Sequence, residues 1–438
     1  MKRGAFLYAG AAVVALGAAF GLSLDAKQSN QALVPPTFVV DATWPKALPN
    51  NWITGEVGGT CVDSQDHIFI VTRGFQTGGL VSPEGLGGAD LKTGTFGGVF
   101  QSKPSPPFIE FDQDGNAVAA WGDASLVPAG TNGPKGNSIA GQNAGVPNSF
   151  HGCYVDYQDN IWVGGNGDGI VQKYSHSGQL LMTIGTKYVC DGGTGPNDPG
   201  IPCTGTGGGN VSKTGLSHTL LNLPADIAVD PMNGDVYIAD GYGNHRVVVF
   251  DKNGNYLRQM GSVGSGPGQF TTGGGGHPHC VVLGKDGLVY ACDRGQDRIN
   301  VYQKDGTFVR AIPVVPGTGL PGMGLTGSAW DVDFSPDAAQ TFMYESDGTN
   351  EVMWIMDHAA AMNGAQNSIL SGFGGFGHQA GAFTFLHMMA IDSNGNLYAG
   401  ETVGGRRIQK FTRASNCPGN SEGHGNAGLY QCPGNSGH

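Results

Sequence analysis

The sequence predicts an all-β protein: a six-bladed β-propeller of four-stranded blades, closed by a strand from the N-terminus. Three observations predict it. A two-strand pattern recurs six times, reading apolar-Val-Asp, a tight turn, then apolar-aromatic-apolar. A second hairpin follows most copies, which makes four strands per unit. The composition also fits, with 77 glycines among 438 residues and only 13% charged residues. Gly-rich turns with low charge suit a compact β protein, not a disordered one.

The copies run in order along the chain. Cys61-Val62-Asp63 leads to Ile68-Phe69, Tyr154-Val155-Asp156 to Ile161-Trp162, and Ala228-Val229-Asp230 to Val236-Tyr237-Ile238. Val282-Leu283 leads to Val289-Tyr290, a degenerate Asp333-Phe334-Ser335 to Phe342-Met343-Tyr344, and Ala390-Ile391-Asp392 to Leu397-Tyr398. Each predicts two strands joined by an Asp/Gly/Asn turn. Second hairpins are read at Phe108–Trp121, at Arg246–Phe250 with Asp251–Asn255, and at Ile299–Tyr302 with Lys304–Thr307. One blade cannot bury both of its faces, so the ring must form as a unit. The last blade is short after Phe411. The isolated apolar run Thr37–Asp41 is predicted to supply its fourth strand.

The chain divides into residues 1–26, a propeller over 37–413, and a Gly-rich tail over 414–438. Lys2 and Arg3 precede an uncharged run from Gly4 to Leu24. This reads as a cleaved export signal or as a retained membrane anchor. Both place the body in a periplasmic or extracellular space. A net charge of −12 argues against nucleic acid as a partner.

Eight cysteines fit an oxidising compartment. Cys190 and Cys203 bracket a Gly/Pro-rich loop, and Cys417 and Cys432 bracket a stretch of the tail. Each pair reads as a local staple. Cys280 and Cys292 lie on adjacent strands of one hairpin and pair or are simply buried. Cys61 and Cys153 occupy apolar strand positions and read as small core residues.

With strands lettered A to D outward from the axis, the starts of A and the ends of B share one face. The A–B and C–D turns lie on the other face and all read as short. The long segments Gly74–Pro107, Asp123–Pro147 and Lys187–Thr219 all fall on the first face, which marks it as functional.

His151, His279 and His387 each stand four residues before the aligned Val155, Leu283 and Ile391. They start the A strands of blades two, four and six. Alternate blades of a six-blade ring lie a third of a turn apart, so the three imidazoles are expected to converge on the axis. Three imidazoles with open positions suit catalytic zinc, and ligand type alone also admits copper, iron, nickel or cobalt. His424 and His438 lie in the tail, away from this set. Arg73, Arg294 and Tyr242 follow B strands and face the same rim. Two cations and a phenol beside a metal suggest a small or peptide-derived substrate bearing a carboxylate, and proton transfer. The competing reading pairs the arginines with neighbours such as Asp293.

The strings Ala239-Asp240-Gly241-Tyr242-Gly243-Asn244-His245-Arg246-Val247 and Cys292-Asp293-Arg294-Gly295-Gln296-Asp297-Arg298-Ile299 resemble NHL repeats. Residues 37–413 as a whole resemble the bacterial relatives of the peptidyl-α-hydroxyglycine α-amidating lyase domain. The resemblance implies a zinc held by His151, His279 and His387. It implies Arg73 and Tyr242 as catalytic residues and Arg294 as a second active-site arginine. The implied reaction cleaves a carbinolamide into an amide and glyoxylate. A structural calcium in that family would take backbone carbonyls at Thr60 and Cys153 and a carboxylate directly after the last histidine. Here that residue is Met388, a poor calcium ligand, so calcium is doubtful. Phe385 replaces a family methionine two residues before His387. These departures keep two other readings in view. One is hydrolysis, hydration or oxidation at the same centre. The other is a non-enzymatic binding or assembly module, for which the repeated Cys-Pro-Gly-Asn-Ser of the tail is a candidate element.

Overall fold

The computed structural model describes residues 33–74, 103–122, 146–147, 149–203, 215–271, 277–318 and 327–414. The expected export segment, most of the three long loops and the Cys417/Cys432 tail lie outside the described residues.

Six four-stranded sheets follow one another along the chain. Blade one takes Val57–Val62, Ile68–Thr72, Phe108–Phe111 and Ala117–Trp121 as strands A to D. Blade two takes Phe150–Val155, Ile161–Gly165, Ile170–Tyr174 and Leu180–Gly185. Blade three runs from Asp226 to Met260, blade four from Val281 to Pro313, and blade five from Ala329 to Gly374. Blade six takes Leu386–Ile391, Leu397–Glu401 and Ile408–Arg413 from the end of the chain. Its outer strand is Phe38–Asp41, antiparallel to Ile408–Arg413, with Phe38 opposite Arg413 and Asp41 opposite Lys410. The two ends of the ring are thus hydrogen-bonded to each other.

The repeat aspartates explain why these segments turn. Asp63 Oδ1 accepts from the backbone N–H of Gln65 and His67, Asp156 Oδ1 from Gln158 and Asn160, and Asp392 Oδ1 from Asn394 and Asn396. The carboxylate takes the place of a strand partner where the chain reverses. Alternating apolar residues then fill the spaces between blades. Each of the six blade interfaces holds one apolar cluster. The closing interface, between blades six and one, is filled by Trp44, whose ring packs against Phe111 and Tyr398. The ring closes by burying area as well as by backbone pairing.

Two expectations are corrected. Cys61 and Cys153 are not free core residues, because they form a disulfide that ties the inner strands of blades one and two. The C–D connection of blade five is not a short turn. It carries the helix His358–Met362, capped by the Asp357 side chain at Ala360 N. Cys190–Cys203 and Cys280–Cys292 are also disulfides. Three disulfides suit an oxidising, exported environment. Among the described residues no helix is long and apolar enough to cross a membrane.

Candidate metal centre

His151, His279 and His387 meet on the axis. Their ring centroids form a near-equilateral triangle with sides of 4.8, 4.7 and 5.1 Å. One nitrogen from each lies within 4.8 Å of the others. Local backbone irregularities aim the rings. Gly152, at φ +72°, puts a register shift between His151 and Cys153, and a second shift falls between Leu386 and Met389. Bulges of this kind redirect a side chain at the end of a strand. A Cβ on Gly152 would lie 2.7 Å from the carbonyl oxygen of Ala225, so glycine is needed there.

Hydrogen bonds fix two of the tautomers. His151 Nδ1 donates to Ala225 O at 2.6 Å and His279 Nδ1 to Trp330 O at 2.7 Å. Each leaves an Nε2 lone pair for the axis. His279 Nε2 and His387 Nδ1 are buried with no hydrogen-bond partner. Burial pushes all three imidazoles well below the ordinary histidine range. The guanidinium groups of Arg73 and Arg294 push His151 and His387 further down, and Arg294 does so for His279. Neutral, converging imidazoles with orphaned nitrogens are a donor set that fits a divalent transition ion.

Tyr242 and Arg294 stand against this triad. Tyr242 Oη lies 3.1 Å from His151 Nε2 and 3.1 Å from Arg294 Nη2. His151 donates through Nδ1, so the phenol donates to Nε2 while its oxygen accepts from the guanidinium. Arg294 is 3% exposed, and its Cζ sits 4.3 Å from the centroid of Trp330. It makes no ion pair with a carboxylate among the described residues, and its Nε is buried without a partner. Asp293 pairs with Arg298 instead, at 3.0 Å. For Arg294 the pairing expected with Asp293 is therefore absent. Arg73 is different. It pairs with Glu56 at 3.2 Å and donates from Nε to Phe150 O at 2.7 Å, beside His151.

Trp330 was not among the residues expected from the sequence. It lies between His279 and His387, at centroid distances of 5.5 and 6.1 Å, and forms the seat of Arg294. The signal for it was present: Trp330 stands four residues before Phe334, the offset of each histidine from its own aligned residue. Of the long rim segments, the described part of Lys187–Thr219 carries the Cys190–Cys203 disulfide and packs with Leu223 and Tyr242. It therefore supports the phenol. Phe385 is 40% exposed with φ +57°, and its N–H donates to Glu351 at 2.6 Å.

Beyond the histidines the A strands line a cavity of about 300 Å³. Thr60, Cys153 and Met388 are on its wall. Met388 brings a thioether where the calcium reading needs an oxygen, so the donor set expected for calcium is incomplete. Asp226 and Asp331, also on the wall, accept from Val281 N and Met389 N of the neighbouring blades. They stitch blade three to four and blade five to six, where Cys61–Cys153 stitches one to two.

Residues 221–250 match the NHL repeat family model. The mouse NHL repeat-containing protein 3 is 24% identical over 86% of this chain and 84% of its own length. A probable peptidyl-alpha-hydroxyglycine alpha-amidating lyase of Caenorhabditis elegans is 26% identical over 42% of this chain and 49% of its own. Peptidyl-glycine alpha-amidating monooxygenase A of Xenopus laevis is 37% identical over 37% of this chain and 15% of its own length. The class is therefore a six-bladed β-propeller, in which residues 221–250 match the NHL repeat. Within that class, the chain has relatives among amidating lyases and among NHL repeat proteins.

Proposed function

We propose that the protein is a metal-dependent carbon–nitrogen lyase, with zinc as the ion, acting on carbinolamides of the N-acyl-α-hydroxyglycine type. The products are a primary amide and glyoxylate. The observation that carries this reading is Arg294. A guanidinium buried to 3% exposure without a carboxylate partner is costly unless the ligand supplies the anion. It lies in hydrogen-bond contact with a phenol that touches one of three converging imidazoles.

His151, His279 and His387 would hold the ion. Bound there, a divalent transition ion supplies Lewis acidity toward substrate oxygen. Arg294 and Arg73 bind and orient the carboxylate, with Trp330 and Glu56 holding the two guanidinium groups in place. Tyr242, whose oxygen accepts from Arg294, carries the hydroxyl proton of the N–CH(OH) unit. The C–O bond becomes a carbonyl as the C–N bond breaks, and Tyr242 returns the proton to the departing amide nitrogen. No proton is gained or lost overall. Calcium has no part in this proposal.

The test is incubation of zinc-replete protein with an N-acyl-α-hydroxyglycine. Release of glyoxylate that stops on chelation and returns with zinc is expected. The exposed Phe385 ring favours a second reading in which the same centre takes a different acyl group or performs a hydrolysis, hydration or oxidation. No glyoxylate from zinc-replete protein would favour that second reading.

A further inference from the structure

A second cluster of metal-binding side chains lies on the opposite face, at the boundary of blades one and two. Asp63 follows strand A of blade one, His67 precedes strand B, and Glu110 stands on strand C. His176 comes from the C–D turn of blade two. His67 Nδ1 is 2.6 Å from Glu110 Oε1 and 3.9 Å from Asp63 Oδ2. His176 Nε2 is 3.1 Å from Asp63 Oδ2 and 3.8 Å from Glu110 Oε1. Asp63, Glu110 and His176 each offer one ligand atom within 4.8 Å of the other two, and the two His176 separations bracket the ~3.3 Å edge of a tetrahedron of donors about 2.0 Å from one ion.

The other blades show what this cluster replaces. Glu110 pairs in register with Phe69, as Lys173 does with Trp162 in blade two. In blade two the lysine neutralises the repeat aspartate, with Lys173 Nζ 3.0 Å from Asp156 Oδ2. His176 holds the turn position that Lys304 holds in blade four, where Lys304 reaches Asp230 of blade three at 2.5 Å. Neither lysine is present around Asp63. The first position holds a second carboxylate, Glu110, and the other an imidazole, His176. The side chains of Asp63 and Glu110 are 0% and 6% exposed. Two facing carboxylates so little hydrated need positive charge between them.

We propose that Asp63, Glu110 and His176 form a second metal site, for a divalent transition ion of the zinc type, with His67 hydrogen-bonded to Glu110 beside it. An imidazole beside two carboxylates favours zinc or cobalt over calcium or magnesium, which take oxygen donors. The donors come from two neighbouring blades and tie them together, so the ion is structural. It joins the same two blades as Cys61–Cys153, on the other face from the three histidines. The site does not depend on the proposed lyase activity.

The experiment measures metal per chain by elemental analysis, after stripping the full-length protein with chelator and dialysing it against Zn²⁺. Glu110→Lys recreates the aspartate–lysine pair of blade two, so it removes the site while keeping the fold. E110K and H176Q are each expected to lose one equivalent relative to wild type. The H151A/H279A/H387A variant is expected to keep that equivalent, which separates this site from the axial one. Unchanged zinc content in E110K would overturn the proposal, whether or not H176Q folds.

Discussion

Arg294 Nη2 lies 3.1 Å from the phenolic oxygen of Tyr242, and the same phenol lies 3.1 Å from His151 Nε2. One side chain thus joins an unpaired buried cation to the axial imidazoles. If the phenol moves the proton, Tyr242→Phe should lower kcat by roughly 10²- to 10⁴-fold with little change in KM. If the cation binds the carboxylate, Arg294→Lys should raise KM and cost about 1.5–3 kcal/mol in kcat/KM, through the lost fork of donors. Steady-state glyoxylate release checks both. Equal losses in kcat alone for the two variants would argue against separate roles.

Trp330 should matter through Arg294 and not through chemistry of its own. The ring face 4.3 Å from the guanidinium holds the cation over the site. Trp330→Leu removes the aromatic face and is expected to weaken substrate binding by roughly 3- to 30-fold, the size of a desolvated cation–π contact. Trp330→Phe should recover part of the loss. The readout is KM against kcat, and an effect on kcat alone would contradict a positioning role.

Much of this centre was legible in the sequence, because the repeat sets a ruler. Asp63, Asp156, Asp230 and Asp392 mark the same turn, so the offset of His151, His279 and His387 from it is countable. The closing strand Phe38–Asp41 was legible because blade six lacked a partner. Trp330 escaped because blade five departs from the pattern at Phe334-Ser335, which hid the shared offset. Cys61–Cys153 escaped for another reason. The two residues are 92 apart in sequence and meet only because blades one and two are adjacent. The fate of Arg294 was not legible at all. Two carboxylates flank it in sequence, Asp293 and Asp297, and the fold turns Asp293 to Arg298 and Asp297 to Ser328.

The Cys61–Cys153 bond should be a main staple of the ring. Closing a loop of this length contributes about 4.6 kcal/mol in the chain-entropy account. C61A/C153A should lose about that much in denaturant-induced unfolding. Both sulfurs belong to buried residues, 5% and 8% exposed, so the native bond should also resist mild reductant. A change under about 1 kcal/mol would show that the apolar cluster between the blades suffices alone.

Asp333 gives the ring a pH dependence of defined sign. Burial in the channel wall raises its carboxyl from the ordinary value of 3.8 to about 7. A raised carboxyl favours the folded state below the unfolded value and loses that advantage as pH rises through the folded one. Asp333→Asn can still accept from Phe334 N but never ionises. The variant should therefore gain stability over wild type as pH rises from about 4 to 7, and hold that gain above 7. Thermal unfolding at pH 5 and pH 8 checks this, and a larger gain at pH 5 would contradict it.

The axial centre is tested most directly by the transition-metal content of the H151A/H279A/H387A variant beside wild type, both folded and loaded in the same way. One equivalent fewer per chain in the variant is expected. Equal metal content in the two proteins would contradict a metal centre at the three histidines.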